Sequence, residues 1–294
     1  MKNLKEKIAC IVLIVVFVAM LSWLQSTPIW EILNISKVEE GVVRFESGNG
    51  KHIMIDKFFF DTGANLSVLF EKGRIDSKRV GFVRSNGLND ESNWESVGYS
   101  NEFYLDSLKV SRTFLVTIDT GKISRFLREH DGVLGMHVIA GANWLIRFKD
   151  STIETTLRDL THEMDFGDYM SFNYSKTLRP LVTIYIEGVE VEDVLMDTGA
   201  AASELRLSPK VLRKITEKQM PQDTIRMEYE GLYQEETVSV LNKYLFRQLN
   251  INDRMMDSIY ITEDAKNTLI GVDFLRRFDN LYIDTKNKTF YLFN

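Results

Sequence analysis

Two aspartates, Asp61 and Asp197, occupy the same local pattern: residues 58–69 read FFFDTGANLSVL and residues 194–205 read VLMDTGAAASEL, so both fit three apolar residues followed by D-T-G-A-x-x-S-x-L. An Asp that leaves an apolar strand in this way enters a tight turn, where Gly63 or Gly199 can take backbone angles closed to other residues. The carboxylate is then presented on a rigid support. A lone buried carboxylate would simply take up a proton, but two brought face to face can share one, because like charges ~3 Å apart cannot both ionise easily. Such a pair holds a base and an acid together. The ionised member can take a proton from a water lying between them while the protonated member donates toward a carbonyl, which is general acid–base hydrolysis without a covalent intermediate.

The elements that position the pair are written twice. Residues 131–135 read DGVLG and residues 267–271 read NTLIG, so Val133, Leu134 and Gly135 correspond to Leu269, Ile270 and Gly271. The spacings agree: 135 − 61 = 74 and 271 − 197 = 74, with an offset between copies of 197 − 61 = 136. One D-T-G arises by chance in about one chain in twenty of this length, so two copies with equal flanks and equal spacing make coincidence very improbable. Duplication kept for packing would explain the apolar flanks and the glycines, but not a carboxylate at the end of a buried strand in both copies.

The coarse pattern is mostly β. Residues 42–45 and 52–60 read as strands around the turn Ser47-Gly48-Asn49-Gly50, and residues 181–186 and 189–196 repeat that hairpin around Glu187-Gly188. Leu145-Ile146-Arg147-Phe148 and Leu281-Tyr282-Ile283-Asp284 are further strands at the same offset, 281 − 145 = 136. The best helix runs over residues 209–219, with Ser208 as cap, Pro209 in the first turn and Val211, Leu212 and Ile215 on one face. These elements divide the chain into an N-terminal segment (1–30), a first lobe (38–156), a polar connector (157–178) and a second lobe (179–294).

The two D-T-G-A segments, with the apolar-apolar-Gly motif after each, resemble the retropepsin-like and pepsin-like aspartic peptidases over nearly all of the chain from about Val42 onward. The resemblance implies a mostly β fold of two pseudo-symmetric barrel lobes with short helices. Asp61 and Asp197 would be the catalytic dyad, and Thr62 and Thr198 would reach across to the opposite loop's backbone. Gly63 and Gly199 would let the loops approach, and the two apolar-apolar-Gly segments would pack behind the aspartates. Each lobe would supply half of a cleft for an extended polypeptide, closed by a flap hairpin within residues 80–99 and 224–238, with Trp94, Tyr99 and Tyr233 as candidate cleft aromatics. Ala64 and Ala200 stand where pepsin-like enzymes usually have Ser or Thr, closer to the retropepsin pattern. Without that hydroxyl a force lowering the carboxylate pKa is gone, which predicts activity at mildly acidic to near-neutral pH. With both aspartates in one chain, a monomeric catalytic unit is expected. A rival from another class is a non-catalytic peptide-binding module on the same fold, although binding alone needs neither carboxylate.

Composition excludes other chemistries. A net charge of −6 with a pI near 5.4 argues against nucleic acid. His52, His130, His137 and His162 have no metal-ligand spacing, and neither a G-x-S-x-G elbow nor a phosphate-cradling glycine loop is present, so no metal and no cofactor are expected. The single cysteine, Cys10, excludes an internal disulfide. Lys2, Lys5 and Lys7 precede an uncharged stretch over 8–30. About 17 apolar residues at ~1.5 Å each reach ~25 Å, so signal peptide and signal anchor are both physically possible. The positions two before Ala19 and Ser26 are Phe17 and Leu24, poor for cleavage. The expectation is therefore an uncleaved transmembrane anchor with the lobes outside the cytoplasm; cleavage would release the same unit as a secreted one. The sequon at Asn65-Leu66-Ser67, four residues past Asp61, would obstruct the site if glycosylated, which points to a bacterial envelope.

Overall fold

Strand-forming runs such as Phe58–Phe60 and Leu269–Gly271 are buried at every position, the pattern of strands covered on both faces. The structure, a computed structural model, describes residues 35–47, 52–70, 75–86, 92–201, 203–229 and 239–294. The segment 1–30, Cys10, the turn residues Gly48-Asn49-Gly50, Tyr233 and the hairpin tips 87–91 and 230–238 lie outside the described residues.

Ser36–Asn294 forms one compact unit. Its first half carries β1 (Gly41–Arg44), β2 (Glu46–Ser47), β3 (Ile53–Ile55), β4 (Phe58–Phe60), β5 (Val68–Phe70), β6 (Ser77–Asn86), β7 (Ser92–Ser100), β8 (Phe103–Leu105), β9 (Leu108–Val110), β10 (Phe114–Ile118), β11 (Gly132–Leu134), β12 (Asn143–Arg147) and β13 (Thr152–Thr156). The second carries β14 (Tyr169–Asn173), β15 (Leu181–Ile186), β16 (Val189–Asp197), β17 (Leu205–Leu207), β18 (Asp223–Tyr229), β19 (Ser239–Ile251), β20 (Arg254–Glu263), β21 (Leu269–Gly271), β22 (Asn280–Asp284) and β23 (Thr289–Phe293). The duplication is visible in strand order. One sheet contains β4-β11-β5-β10-β7-β6 and another β16-β21-β17-β20-β19-β18, the same path in each half.

A third sheet joins the halves, in the order β1-β13-β12-β22-β23-β14. At its centre Leu145 pairs with Tyr282 and Ile146 with Leu281, the pairing that a two-fold axis requires of residues 136 apart. This corrects the expectation of two pseudo-symmetric barrel lobes: in the second half Ile186 of β15 also pairs with Ile251 of β19, closing β15-β16-β21-β17-β20-β19 into a six-stranded barrel, whereas among the described residues no such pair closes the sheet of the first half. β12 and β22 are almost wholly buried, and each satisfies the other's backbone groups along the seam between the halves. The range of the expected N-terminal transmembrane helix lies outside the described residues. Among those residues no helix is long and apolar enough to cross a membrane.

The helices are short. Pro209–Thr216 begins as the sequence indicates, with the Ser208 hydroxyl accepting from the Val211 amide at 3.4 Å and Leu212 and Ile215 buried. Met136–Ile139 and Val272–Leu275 differ in sequence, yet Gly135 and Gly271 cap them with almost the same backbone angles, φ −94° in each. Residues 52–60, expected as one strand, are two: Asp56 and Lys57 take positive φ (48° and 67°) and turn β3 back onto β4, with Ile55 opposite Phe58. The second half has its turn at Glu187-Gly188, as expected, and the segment 157–178 contributes β14 to the shared sheet.

Candidate active site

β4 and β16 each end at an aspartate, and the turns that follow are bolted to each other. Thr62 Oγ1 donates to the Met196 carbonyl at 2.6 Å and accepts from the Thr198 amide at 3.0 Å. Thr198 Oγ1 donates to the Phe60 carbonyl at 2.8 Å and accepts from the Thr62 amide at 3.0 Å. Both threonines are wholly buried, so these four bonds have no competition from water. Asp61 and Asp197 consequently face each other, each carboxyl lying against the glycine of the opposite turn.

Each carboxyl is held by its own turn. Asp61 Oδ1 accepts from the Gly63 and Ala64 amides at 2.8 and 3.1 Å, and Asp197 Oδ1 accepts from the Gly199 amide at 2.9 Å. The Asp61 amide in turn donates to the Leu134 carbonyl at 3.0 Å. The two glycines are required by the facing carboxyl. A methyl group on Gly63 would stand 2.5 Å from Asp197 Cγ, and one on Gly199 would stand 2.3 Å from Asp61 Cγ. Burial, then the charge of Asp197, pushes Asp61 well above the ordinary carboxylate range. Burial also raises Asp197, opposed chiefly by the positive charge of Arg206.

The apolar-apolar-Gly segments lie directly against these strands. β11 runs parallel to β4, with Leu134 opposite Phe60, and β21 runs parallel to β16, with Gly271 opposite Asp197. Val133 pairs with Phe59 and Val68, while Leu269 and Ile270 pair with Leu195 and Met196. A side chain at Gly135 would strike the backbone of Leu66 and Ala64, and one at Gly271 that of Ser203 and Ala200. Ala64 and Ala200 serve through their carbonyls, which accept from the Met136 and Val272 amides at 2.7 and 3.1 Å and tie each turn to the short helix behind it.

The candidate cleft aromatics fare differently. Trp94 stands 70% exposed on the long β6–β7 hairpin, opposite Arg84, whereas its neighbour Glu95 is buried and paired with Lys122. Successive strand residues face opposite ways, so Trp94 lies on the hairpin face opposite buried Glu95. Tyr99, nearer the hairpin base, packs its ring against Phe114 at 5.0 Å. Of the range 224–238 expected to carry the second flap, residues up to Tyr229 lie in β18, which pairs with β19, and 230–238 lie outside the described residues.

Among the described residues no group of His, Cys, Asp and Glu could hold a metal ion. His137 is structural. Its Nδ1 accepts from the Ser67 amide at 3.0 Å, its Nε2 lies 2.9 Å from the Phe114 carbonyl, and burial lowers its pKa to about 4.

One residue of the site escaped the sequence reading. Arg206 is wholly buried in β17, donates Nε–H to Ser203 Oγ at 2.8 Å and lies 3.6 Å from Asp264. Its signal was a cation between Leu205 and Leu207 in a short strand. The repeat also slips here. In the first half Leu69 pairs with Gly132; adding 136 to both would pair Leu205 with Thr268, but Leu205 pairs with Ile270. The strand after the second turn is displaced by two residues, which keeps its faces in register.

No family model matches the chain, and no curated protein matches it. Among solved structures it is similar to a retropepsin-like aspartic protease from Rickettsia conorii, at 16% identity over 42% of this chain and 89% of that one, with a TM-score of 0.32. Similarity at that level leaves the functional reading to the geometry of the site.

Proposed function

We propose that this chain is an aspartic endopeptidase acting on extended polypeptides. Asp61 and Asp197 share one proton and activate a water between them, the ionised carboxylate as base and the protonated one as acid toward the peptide carbonyl. The observation that carries this reading is the reciprocal threonine bonding, which brings two carboxyls together where each raises the cost of ionising the other. A fold needing only to grip peptides gains nothing from that cost. Both raised carboxyls support activity in the mildly acidic to near-neutral range. The unit works as a monomer, because one chain supplies both members of the pair.

The test is cleavage of a mixed peptide library by the full chain, scanned across pH, beside Asp61→Asn and Asp197→Asn. Each single substitution is expected to lower cleavage by about 10³-fold or more, the scale of losing a general acid or base. Equal cleavage by either variant, or intact peptides at every pH from folded protein, would overturn the reading. The second result would favour a peptide-binding module.

A further inference from the structure

The two catalytic turns are near copies. Each carboxyl accepts from the glycine amide of its own turn at almost the same distance, 2.8 and 2.9 Å, and the threonine bonds are reciprocal; the difference is one further amide, Ala64, which donates to Asp61 at 3.1 Å while the Ala200 amide donates to the Asp197 carbonyl. That one long amide bond slightly favours ionised Asp61. A preference for Asp197 as the ionised member has to come from outside the turns and outweigh it.

The surroundings are strongly unlike. In the first half the face of β5 carrying Val68 and Phe70 packs into an apolar cluster with Val116, Ile118 and Val133. By chain offset Arg206 corresponds to Phe70, since 206 − 136 = 70; by strand pairing it takes the place of Val68, which lies opposite Val133 as Arg206 lies opposite Leu269. On either alignment an apolar residue is replaced by a buried cation, accompanied by buried Ser203, Thr262 and Asp264. β17 is separated from β16 by β21 alone, which puts Arg206 two strand spacings, about 10 Å, from the strand that ends in Asp197. The intervening strand β21 is wholly buried, so a charge at that range acts through a medium that screens it poorly.

We infer that Arg206 breaks the two-fold symmetry of the pair electrostatically, making Asp197 the ionised member that serves as base and Asp61 the protonated member that serves as acid. Arg206 is a positioning residue and touches no substrate. The charged groups around Asp197 are Asp61 from the facing turn, Arg206 from β17 and, beyond Arg206, Asp264 after β20, whose carboxylate also accepts from the Lys266 and Asn267 amides. The charge at Arg206 lowers Asp197, in line with the roles assigned. The inference rests on the shared-proton reading of the site but specifies what that reading leaves open.

The experiment follows the acid limb of the pH–rate profile, which reports the first ionisation of the pair, in the wild type, Arg206→Met, Arg206→Lys and Asp264→Asn. In parallel, ¹³C-carboxyl NMR of Asp-labelled protein follows the same ionisation without needing turnover. Loss of the cation is expected to move the acid limb and the first carboxyl titration up by about one pH unit, the scale of removing a nearby opposite charge. Arg206→Lys should hold the wild-type position, and Asp264→Asn should move it down, because the cation is then less compensated. Opposite movements by two variants of one ion pair are not produced by loosening the fold. A first titration that is unchanged in folded Arg206→Met, or that belongs to Asp61 when Asp197→Asn and Asp61→Asn are compared, would overturn the inference. Absence of cleavage with the NMR shifts intact would overturn only the peptidase reading.

Discussion

At the scale of single residues, Asp61 is costly to the fold. Its folded pKa lies above the ordinary value near 4, so its favourable, protonated contribution is fully present below about pH 4 and is lost as pH rises through the folded pKa. Asp61→Asn should therefore be more stable than the wild type at pH 7, with the gap closing toward pH 4, while cleavage is lost. Urea unfolding at the two pH values checks this; a variant less stable than the wild type at pH 7 would contradict it. Thr62 has the opposite character. Thr62→Val deletes a donor and an acceptor and leaves the Thr198 amide buried without its partner, expected to cost about 1–3 kcal/mol, whereas Thr62→Ser keeps both bonds. Comparing the two by urea unfolding separates the hydroxyl from the methyl. The aspartates and their turns were legible from the repeat, because residue type at short spacing encodes them, whereas the threonines and glycines act on the turn 136 residues away and their roles came from the family resemblance. Arg206 was not legible, because its meaning depends on which strand lies next to β17.

At the scale of elements, the glycines after the apolar pairs set how closely strand, turn and helix can approach. Gly271→Ala would place a methyl 2.3 Å from the Ser203 carbonyl oxygen, and Gly135→Ala one 2.6 Å from that of Leu66. Neither backbone can yield without shifting a turn, so each should cost about 1–3 kcal/mol, read from thermal unfolding, and lower kcat through displacement of the carboxyl it supports. A substitution tolerated in both stability and kcat would show that the turns are not held from behind. The sequence placed these strands and the capped helix correctly from apolar runs, Pro209 and Ser208. It missed the break at Asp56-Lys57, where charged residues accept positive φ without the glycine that usually advertises a turn, and the slip of two residues before Leu205, which preserves the alternation that sequence patterns report.

At the scale of the whole molecule, the shared sheet makes the halves interdependent. β12 and β22 lie at its centre with Trp144, Ile146, Leu281 and Ile283 wholly buried, and β14 crosses from the connector to pair with the C-terminal strand. Ser36–Asn294 should therefore unfold in one cooperative step. Calorimetry with equal calorimetric and van't Hoff enthalpies would show it, and two resolved transitions would refute it. A charge at Ile146 or Leu281 should destabilise both halves together, by several kcal/mol, because a buried ion at this seam has no partner.

The amino-acid sequence by itself determined the duplication, the two carboxylates, the turns that carry them and the predominance of β structure, since each is encoded by residue type at short spacing. Tertiary structure alone decided that the halves share a sheet while the second closes a six-stranded barrel, that Trp94 stands exposed on the hairpin face opposite Glu95, and that a buried arginine stands on one side of a nearly symmetric pair. The physical reason is the same in each case. Strand edges, strand faces and buried charges take their meaning from neighbours distant in the chain, and a repeat states that two segments are alike without stating what each will meet.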